Sequence, residues 1–217
     1  FCGSSMDSVH QVSQAIIAGD IKSGIASGVE DMFTVPMGGF VPDFNPRLNE
    51  EEFYIGMGDT AENLAKELDI NRSDQEDFSV LSHKKALDAI KESRFKNEII
   101  PVEFNKKTFS IDEGPRNPDI EKMKSLSPAF DAGGSITAAT SSPISLGASA
   151  ILIGNQDMAD NSKSVFEIVS RSIVGVDWKT MGQGPLPATE KALKSAGLSL
   201  EDIDVIELNE AFAAQSL

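Results

Sequence analysis

This 217-residue sequence contains one cysteine and two histidines. A single thiol excludes an internal disulfide and suits a reducing compartment. Basic residues are also scarce: 19 Lys and Arg stand against 34 Asp and Glu, for a net charge of −15. Phosphate backbones need a basic surface, so nucleic acid is not an expected partner, and an anionic membrane surface is disfavoured on the same ground. No apolar run is long enough to span a bilayer. No metal site and no low-complexity segment stand out. The sequence carries no signal-peptide pattern and does not begin with Met. Its apolar share, 40%, is ordinary for a globular chain, and the length suits one large domain or two small ones.

What is present begins with Phe1-Cys2-Gly3-Ser4-Ser5-Met6. Apolar positions at Met6, Val9, Val12, Ile16 and Ile17 follow at helical spacing, and Gly19-Asp20 ends the pattern as a C-cap would. Cys2 therefore falls at a helix N-terminus, where free backbone N–H groups and the positive end of the helix dipole favour a thiolate. Gly3, Ser4 and Ser5 leave room for a substrate to approach the sulfur. A lone cysteine is also commonly a buried structural residue, and local pattern leaves both readings open.

Along the chain, Ile21 to Val29 reads as a strand, whose Gly24 and Gly28 suggest close packing by a helix or another backbone. Residues 33–56, broken by Pro36, Gly38, Gly39, Pro42 and Pro46, read as loop. A helix opens at Gly58-Asp59-Thr60, with Ala61, Leu64, Ala65 and Leu68 on one face and Asp59 and Glu62 as a capping pair. Ser73-Asp74-Gln75-Glu76 predicts the capping box of a second helix reaching about Arg94, with Phe78, Leu81, Ala86 and Ile90 toward the core. Ile99 to Phe104 reads as an edge strand. Ser142-Pro143 suggests an N-cap and first helical turn, followed by a buried strand at 150–153. Asn155 to Ser164 reads as a polar interdomain linker. Strands are expected at 166–176 and 204–208, and between them a helix from Pro187 to Ala196, stopped by Gly197, and a Ser199-capped turn, with a last helix from near Ala211. Alternation of strands and helices at both ends predicts parallel α/β sheets.

The opening run resembles the nucleophile segment of the thiolase family, most of all its bacterial fatty-acid-oxidation 3-ketoacyl-CoA branch. Four later segments agree in order: Gly28-Val29-Glu30-Asp31-Met32, Met57 to Glu62, Met181 to Ala188, and Asn209-Glu210-Ala211-Phe212-Ala213-Ala214-Gln215. The resemblance implies a thiolase-like α/β fold, layered α-β-α-β-α, with two similar βαβ domains and a loop domain, and incomplete at both ends. The expected division is 1–32 for the second half of the N-terminal domain, 33–129 for the loop domain, 130–160 for a return to the first domain and a linker, and 161–217 for the first half of the C-terminal domain. Thiolases have a lead-in before the nucleophile and continue past the Asn-Glu-Ala-Phe segment, so the chain is read as the middle of a longer protein.

The resemblance also implies chemistry: thiolytic cleavage of a 3-ketoacyl-CoA to acetyl-CoA and a shortened acyl-CoA through an acyl-cysteine. That needs a nucleophile, a base, an acid for the leaving carbanion and two oxyanion sites. Cys2 matches the nucleophile. Asn209 matches the residue whose amide positions a water in an oxyanion site; taken alone it reads as a strand-to-helix N-cap, and the motif Asn209-Glu210-Ala211-Phe212-Ala213 favours the site. Ala138, Ser141 and Ser142, in Thr137-Ala138-Ala139-Thr140-Ser141-Ser142, match the pantetheine segment. Met57, Met181 and Phe212 match tunnel-lining positions, or are plain core. Arg116 is a candidate for the nucleotide phosphates, or a plain surface arginine. The family's base lies in a Gly-His-Pro segment and its acid in a Cys-x-Gly segment, neither of which occurs here. His10, about 12 Å along the helix from Cys2, cannot serve as the base, and His83 lies in no such motif. These 217 residues alone are therefore expected to be inactive.

Three positions depart from the family pattern. Gly56 stands where the acetoacetyl-specific branch has histidine, which favours a longer-chain enzyme. Ala139 replaces a usual glycine. Leu146 replaces a common aspartate that would favour the dipole of the helix expected there. Two further readings remain: a non-catalytic acyl-CoA-binding relative, and a decarboxylating condensing enzyme of the same fold. Implied associations are CoA as co-substrate with no bound cofactor, acyl-CoA, a homodimer or tetramer, and the hydratase/dehydrogenase subunit of a β-oxidation complex. The implied location is cytoplasmic in a bacterium, or mitochondrial or peroxisomal in a eukaryote.

Overall fold

A computed structural model describes residues 2–36 and 38–217; Phe1, which opens the nucleophile segment, lies outside them. The first helix, α1 (Ser4–Ala18), stops at Gly19, whose φ of 85° only glycine adopts cheaply, with its N–H on the Ala15 and Ile16 carbonyls. Strand β1 (Ser23–Asp31) follows. A short α2 (Pro46–Glu50) interrupts the expected loop, and α3 (Met57–Glu67) and α4 (Arg72–Lys91) come next. Strands β2 (Val102–Phe104) and β3 (Lys107–Phe109) form a hairpin about Asn105 and Lys106. Both turn residues have positive φ, as a two-residue hairpin turn demands. Helix α5 (Ile120–Ser125) starts at an Asp119 cap, β4 spans Leu146–Gly154 and α6 spans Gln156–Asp160. After a 3₁₀ segment, Trp178–Gln183, α7 (Pro185–Ala196) ends at Gly197, again left-handed with φ 70°. A 3₁₀ turn at Leu200–Asp202 carries the Ser199–Asp202 capping box, and α8 (Ala213–Ser216) closes the chain.

Two compact units emerge. The first comprises Phe1–Glu50, Ile144–Gly175 and Gly184–Asn209. Its sheet is β1 paired antiparallel with β4, with Ser23 opposite Gly154 and Asp31 opposite Leu146. Helix α1 lies on β1 where the strand has no side chains. A Cβ on Gly24 would come within 2.9 Å of Val12, and one on Gly28 would overlap the Ser5 hydroxyl. The expected close packing at these glycines is present. The Arg171 guanidinium ties the 164–175 segment to the same helix, donating to the His10 carbonyl (3.0 Å) and to buried Ser13 Oγ (2.6 Å). Ser170 and Ser172 donate to the Ala192 and Ala188 carbonyls of α7.

The second unit comprises Glu51–Pro143, Val176–Gln183 and Glu210–Leu217. Its core is Ala61 and Ala65 of α3 with Ile136 and Ala214, flanked by Ile70 and Phe212. Small residues let α3, α8 and the 3₁₀ segment approach: a Cβ on Gly182 would crowd both Leu64 and Gln215. Asn63 Nδ2 donates to the Lys179 carbonyl, and Lys179 pairs with Glu52 at 2.6 Å.

Several expectations are overturned. Both described ladders are antiparallel, not parallel. No helix follows Ser142-Pro143. Ser141 bridges Phe212, the Ser142 N–H donates to the Ala211 carbonyl, and the chain runs into β4 from Leu146. Leu146 thus begins a strand rather than a helix. Residues 150–153 are largely exposed, because β4 has a neighbouring strand on one side only among the described residues. Segments 166–176 and 204–208 form no strand, having no ladder partner among the described residues. Residues 155–164 are not all linker: Asn155 caps α6 through the Met158 N–H. The α4 cap is Asn71, accepting from the Asp74 N–H, so Ser73 is already helical; such a cap contributes about 1 kcal/mol. The buried face of α4 is Gln75 and Ser79, while Leu81 is exposed. Helix α3 begins at Gly56 without a side-chain cap, so Asp59 and Glu62 are not a capping pair.

Candidate functional site

In the first unit, Cys2 is an exposed free thiol just ahead of Gly3, the N-cap of α1. Gly3 caps without a side chain. Its carbonyl takes the Asp7 N–H at 2.9 Å, and a Cβ there would meet nothing within 4 Å. The sulfur is thus approachable beside the open first turn of a 15-residue helix. Helix-terminal N–H groups there can stabilise an adjacent oxyanion. Asn209 is exposed at the last residue of this unit, after the 204–208 segment.

The second unit gathers most of the remaining candidates around one backbone rail. Thr137 and Thr140 are buried: the Thr137 N–H donates to Thr140 Oγ1, the Thr140 N–H to the Thr137 carbonyl, and Ser141 Oγ to the same carbonyl at 2.7 Å. The rail then docks on the Ala211–Ala213 segment. The Ala213 N–H donates to the Thr140 carbonyl and the Ser142 N–H to the Ala211 carbonyl, and Ser141 bridges Phe212. Ala138 and Ser142 face solvent and Ser141 is half-buried. The Phe212 ring packs edge-to-face on Phe130 at 5.8 Å, and Phe130 covers Gly58, the residue after Met57. Met57 and Met181 are both partly exposed, at 39% and 42%. Neither is plain core.

Arg116 is exposed, and its backbone N–H donates to His83 Nδ1 of α4 at 3.3 Å. Burial, and secondarily the Arg116 charge, hold the His83 imidazole below its usual value. His10 sits within α1 and offers its carbonyl to Arg171. Neither histidine lies in the family's Gly-His-Pro segment, since that segment is absent. Among the described residues no group of three or more His, Cys, Asp or Glu could hold a metal ion, and no helix is long and apolar enough to cross a membrane.

Sequence reasoning missed what fastens the rail. Glu62 is 2% exposed. Its carboxylate accepts from the Ser135 N–H (3.0 and 3.1 Å) and the Ile136 N–H (2.9 Å). The available signal was its place: next to Ala61 and close to Leu64 and Ala65, on the face read as core.

Comparison with known proteins follows the same lines. Residues 1–157 match the family model for the thiolase N-terminal domain, and residues 162–217 match that for the thiolase C-terminal domain. The chain is 46% identical to a 3-ketoacyl-CoA thiolase of Vibrio vulnificus and 44% identical to one of Alcanivorax borkumensis, in each case over all of this chain and 58% of the relative. Among solved structures it is similar to the dimeric peroxisomal thiolase of Saccharomyces cerevisiae, with a TM-score of 0.87 and 34% identity over 99% of this chain and 57% of that one. The chain spans somewhat over half the length of the curated relatives it matches.

Proposed function

The chain belongs to the thiolase family and has its α/β fold, and on that premise we propose that the whole protein is a 3-ketoacyl-CoA thiolase of fatty-acid oxidation. The observation that carries the proposal is Cys2, exposed and unpaired at the open start of α1. The Cys2 thiolate adds to the 3-keto carbon. The bond between C2 and C3 breaks, its electron pair goes to C2, and protonation of C2 releases acetyl-CoA. The shortened acyl group remains as a thioester on Cys2. The sulfur of a second CoA then takes the acyl group and returns the thiolate. Backbone N–H groups at the start of α1 can stabilise the thioester oxyanion, and an Asn209-held water can serve the enolate oxygen. The proton-transfer groups of this scheme are not found in these 217 residues, whose two histidines are assigned above.

CoA acts as co-substrate. Its pantetheine arm lies along Ala138, Ser141 and Ser142, with Met57, Met181 and Phe212 toward the acyl chain. Arg116 would be a phosphate contact. The division at 32, 129 and 160 into N-terminal, loop and C-terminal domains belongs to the same reading. The dimeric yeast relative supports a homodimer. A hydratase/dehydrogenase partner and a cytoplasmic location complete the proposal.

The test is loss of the 3-ketoacyl thioester on addition of CoA by the whole protein. Cys2→Ala should abolish it, and Asn209→Ala should lower it by about 10² or more. Full activity in Cys2→Ala would overturn the proposal. Tight acyl-CoA binding with no turnover would instead favour a non-catalytic thiolase-like binder.

A further inference from the structure

We propose that Glu62 is the positioning residue of the CoA-binding rail, acting through the Ser135 and Ile136 backbone rather than by touching substrate. The inference rests on the CoA reading given above.

A carboxylate at 2% exposure is costly to bury unless its oxygens are satisfied. Glu62 meets that condition with two backbone N–H groups 73 and 74 residues further along the chain. The loop is shaped to admit it. Gly134 lies so close that a Cβ there would overlap the carboxylate. Neighbouring contacts hold the same stretch: Gln75 Nε2 donates to Ser135 Oγ at 2.9 Å, and the Ala129 N–H donates to the Ile136 carbonyl at 2.8 Å. Ile136 itself is fully buried in the core.

From Ile136 onward the rail has little freedom. The Thr137, Thr140 and Ser141 bonds close it into a compact turn, and its far end is fastened to Ala211–Ala213. Glu62 fastens the near end. Ala138 lies between the two anchors, and Ser141 and Ser142 stand at the far one. Releasing the near anchor lets Ala138 shift relative to Ser141 and Ser142, and small displacements of positioning groups weaken ligand contacts disproportionately. Glu62→Gln puts an amide N–H₂ where one oxygen faced the Ser135 N–H, so a donor opposes a donor. Gly134→Ala attacks the same contact from the loop side without changing charge.

The experiment measures CoA protection of Cys2 against iodoacetamide in the whole protein. Iodoacetamide is small and needs no CoA site, so the unprotected labelling rate should be unchanged in both variants. The CoA concentration giving half-protection should rise about tenfold in Glu62→Gln and similarly in Gly134→Ala. The double variant should be no worse than the stronger single, since both break one contact. A melting curve checks folding, and Gly134→Ala carries the test should Glu62→Gln not fold. Equal half-protection in variants and wild type overturns this inference alone. Absence of CoA protection in the wild type overturns the CoA reading and this inference with it.

Discussion

Gly28 of β1 lies directly beneath Ser5 in the first turn of α1, so that a Cβ on Gly28 would overlap the Ser5 hydroxyl. The two residues fix how the start of the helix, and with it the chain at Cys2, rests on the sheet. Gly28→Ala should cost about 1–3 kcal/mol by overpacking, read as a lower urea midpoint with unchanged slope. Ser5→Gly removes the obstructing Oγ and Cβ and leaves only the residue 5 Cα, 3.5 Å from where the alanine methyl would sit. It should cost up to about 1 kcal/mol alone, yet relieve much of the Gly28→Ala loss in the double variant. Additive losses would contradict the contact.

Arg171 belongs to the stretch matched by the C-terminal family model, while its partners His10 and Ser13 belong to the N-terminal one. The bond therefore joins the two family domains inside one compact unit. Arg171→Ala leaves buried Ser13 Oγ without this donor and should destabilise by roughly 1–3 kcal/mol. Arg171→Lys should recover part, because both bonds come from the one nitrogen Nη1 and the shorter lysine side chain brings its ammonium less far toward the two acceptors. Thermal melting of the two variants checks the order.

Legibility from sequence divided along the range of the interactions. Helix ends and turns were readable because their causes are local: Gly19 and Gly197 as helix stops, and Ser199 as the cap of a turn, where the structure adds Asp202 as its reciprocal partner. The α4 cap was misread by two residues because Asn71 and Ser73 are both good caps, and the Asn71 side chain took the Asp74 N–H. Ser142-Pro143 looked like a helix start for the same local reasons. There a distant segment prevailed: the Ala211 carbonyl took the Ser142 N–H, and β1 took the residues from Leu146 onward. Glu62 is the sharpest case. Its spacing from Asp59 suggested a cap, whereas its partners lie more than seventy residues away. The nucleophile, by contrast, was legible through a contiguous motif.

Lys66 and Asp131 give the second unit a pH dependence of definite sign. They pair at 2.7 Å on the surface. The Lys66 hydrogen bond, then the Gly133 N–H, hold the Asp131 carboxyl below its usual 3.8. Asp131, with a smaller contribution from Glu62, holds the Lys66 ammonium above its usual 10.5. The depressed acid contributes stability that is complete above 3.8 and lost as pH falls through its lower folded value. The raised base contributes stability that is complete below 10.5 and lost as pH rises through its higher folded value. The gap in urea midpoint between wild type and Asp131→Asn should be level between these limits and shrink beyond either. A gap that stays level as the medium is taken well below 3.8 would contradict the pairing.

The central claim is that Cys2 carries the acyl group. The most direct measurement is to mix the whole protein with a 3-ketoacyl-CoA, omit free CoA, quench in acid and map the peptides by mass. The account predicts stoichiometric acetyl-CoA release and a shortened acyl adduct on the peptide containing Cys2, which added CoA removes. Acetyl-CoA release with no adduct on Cys2, or an adduct that persists in Cys2→Ala, would contradict it.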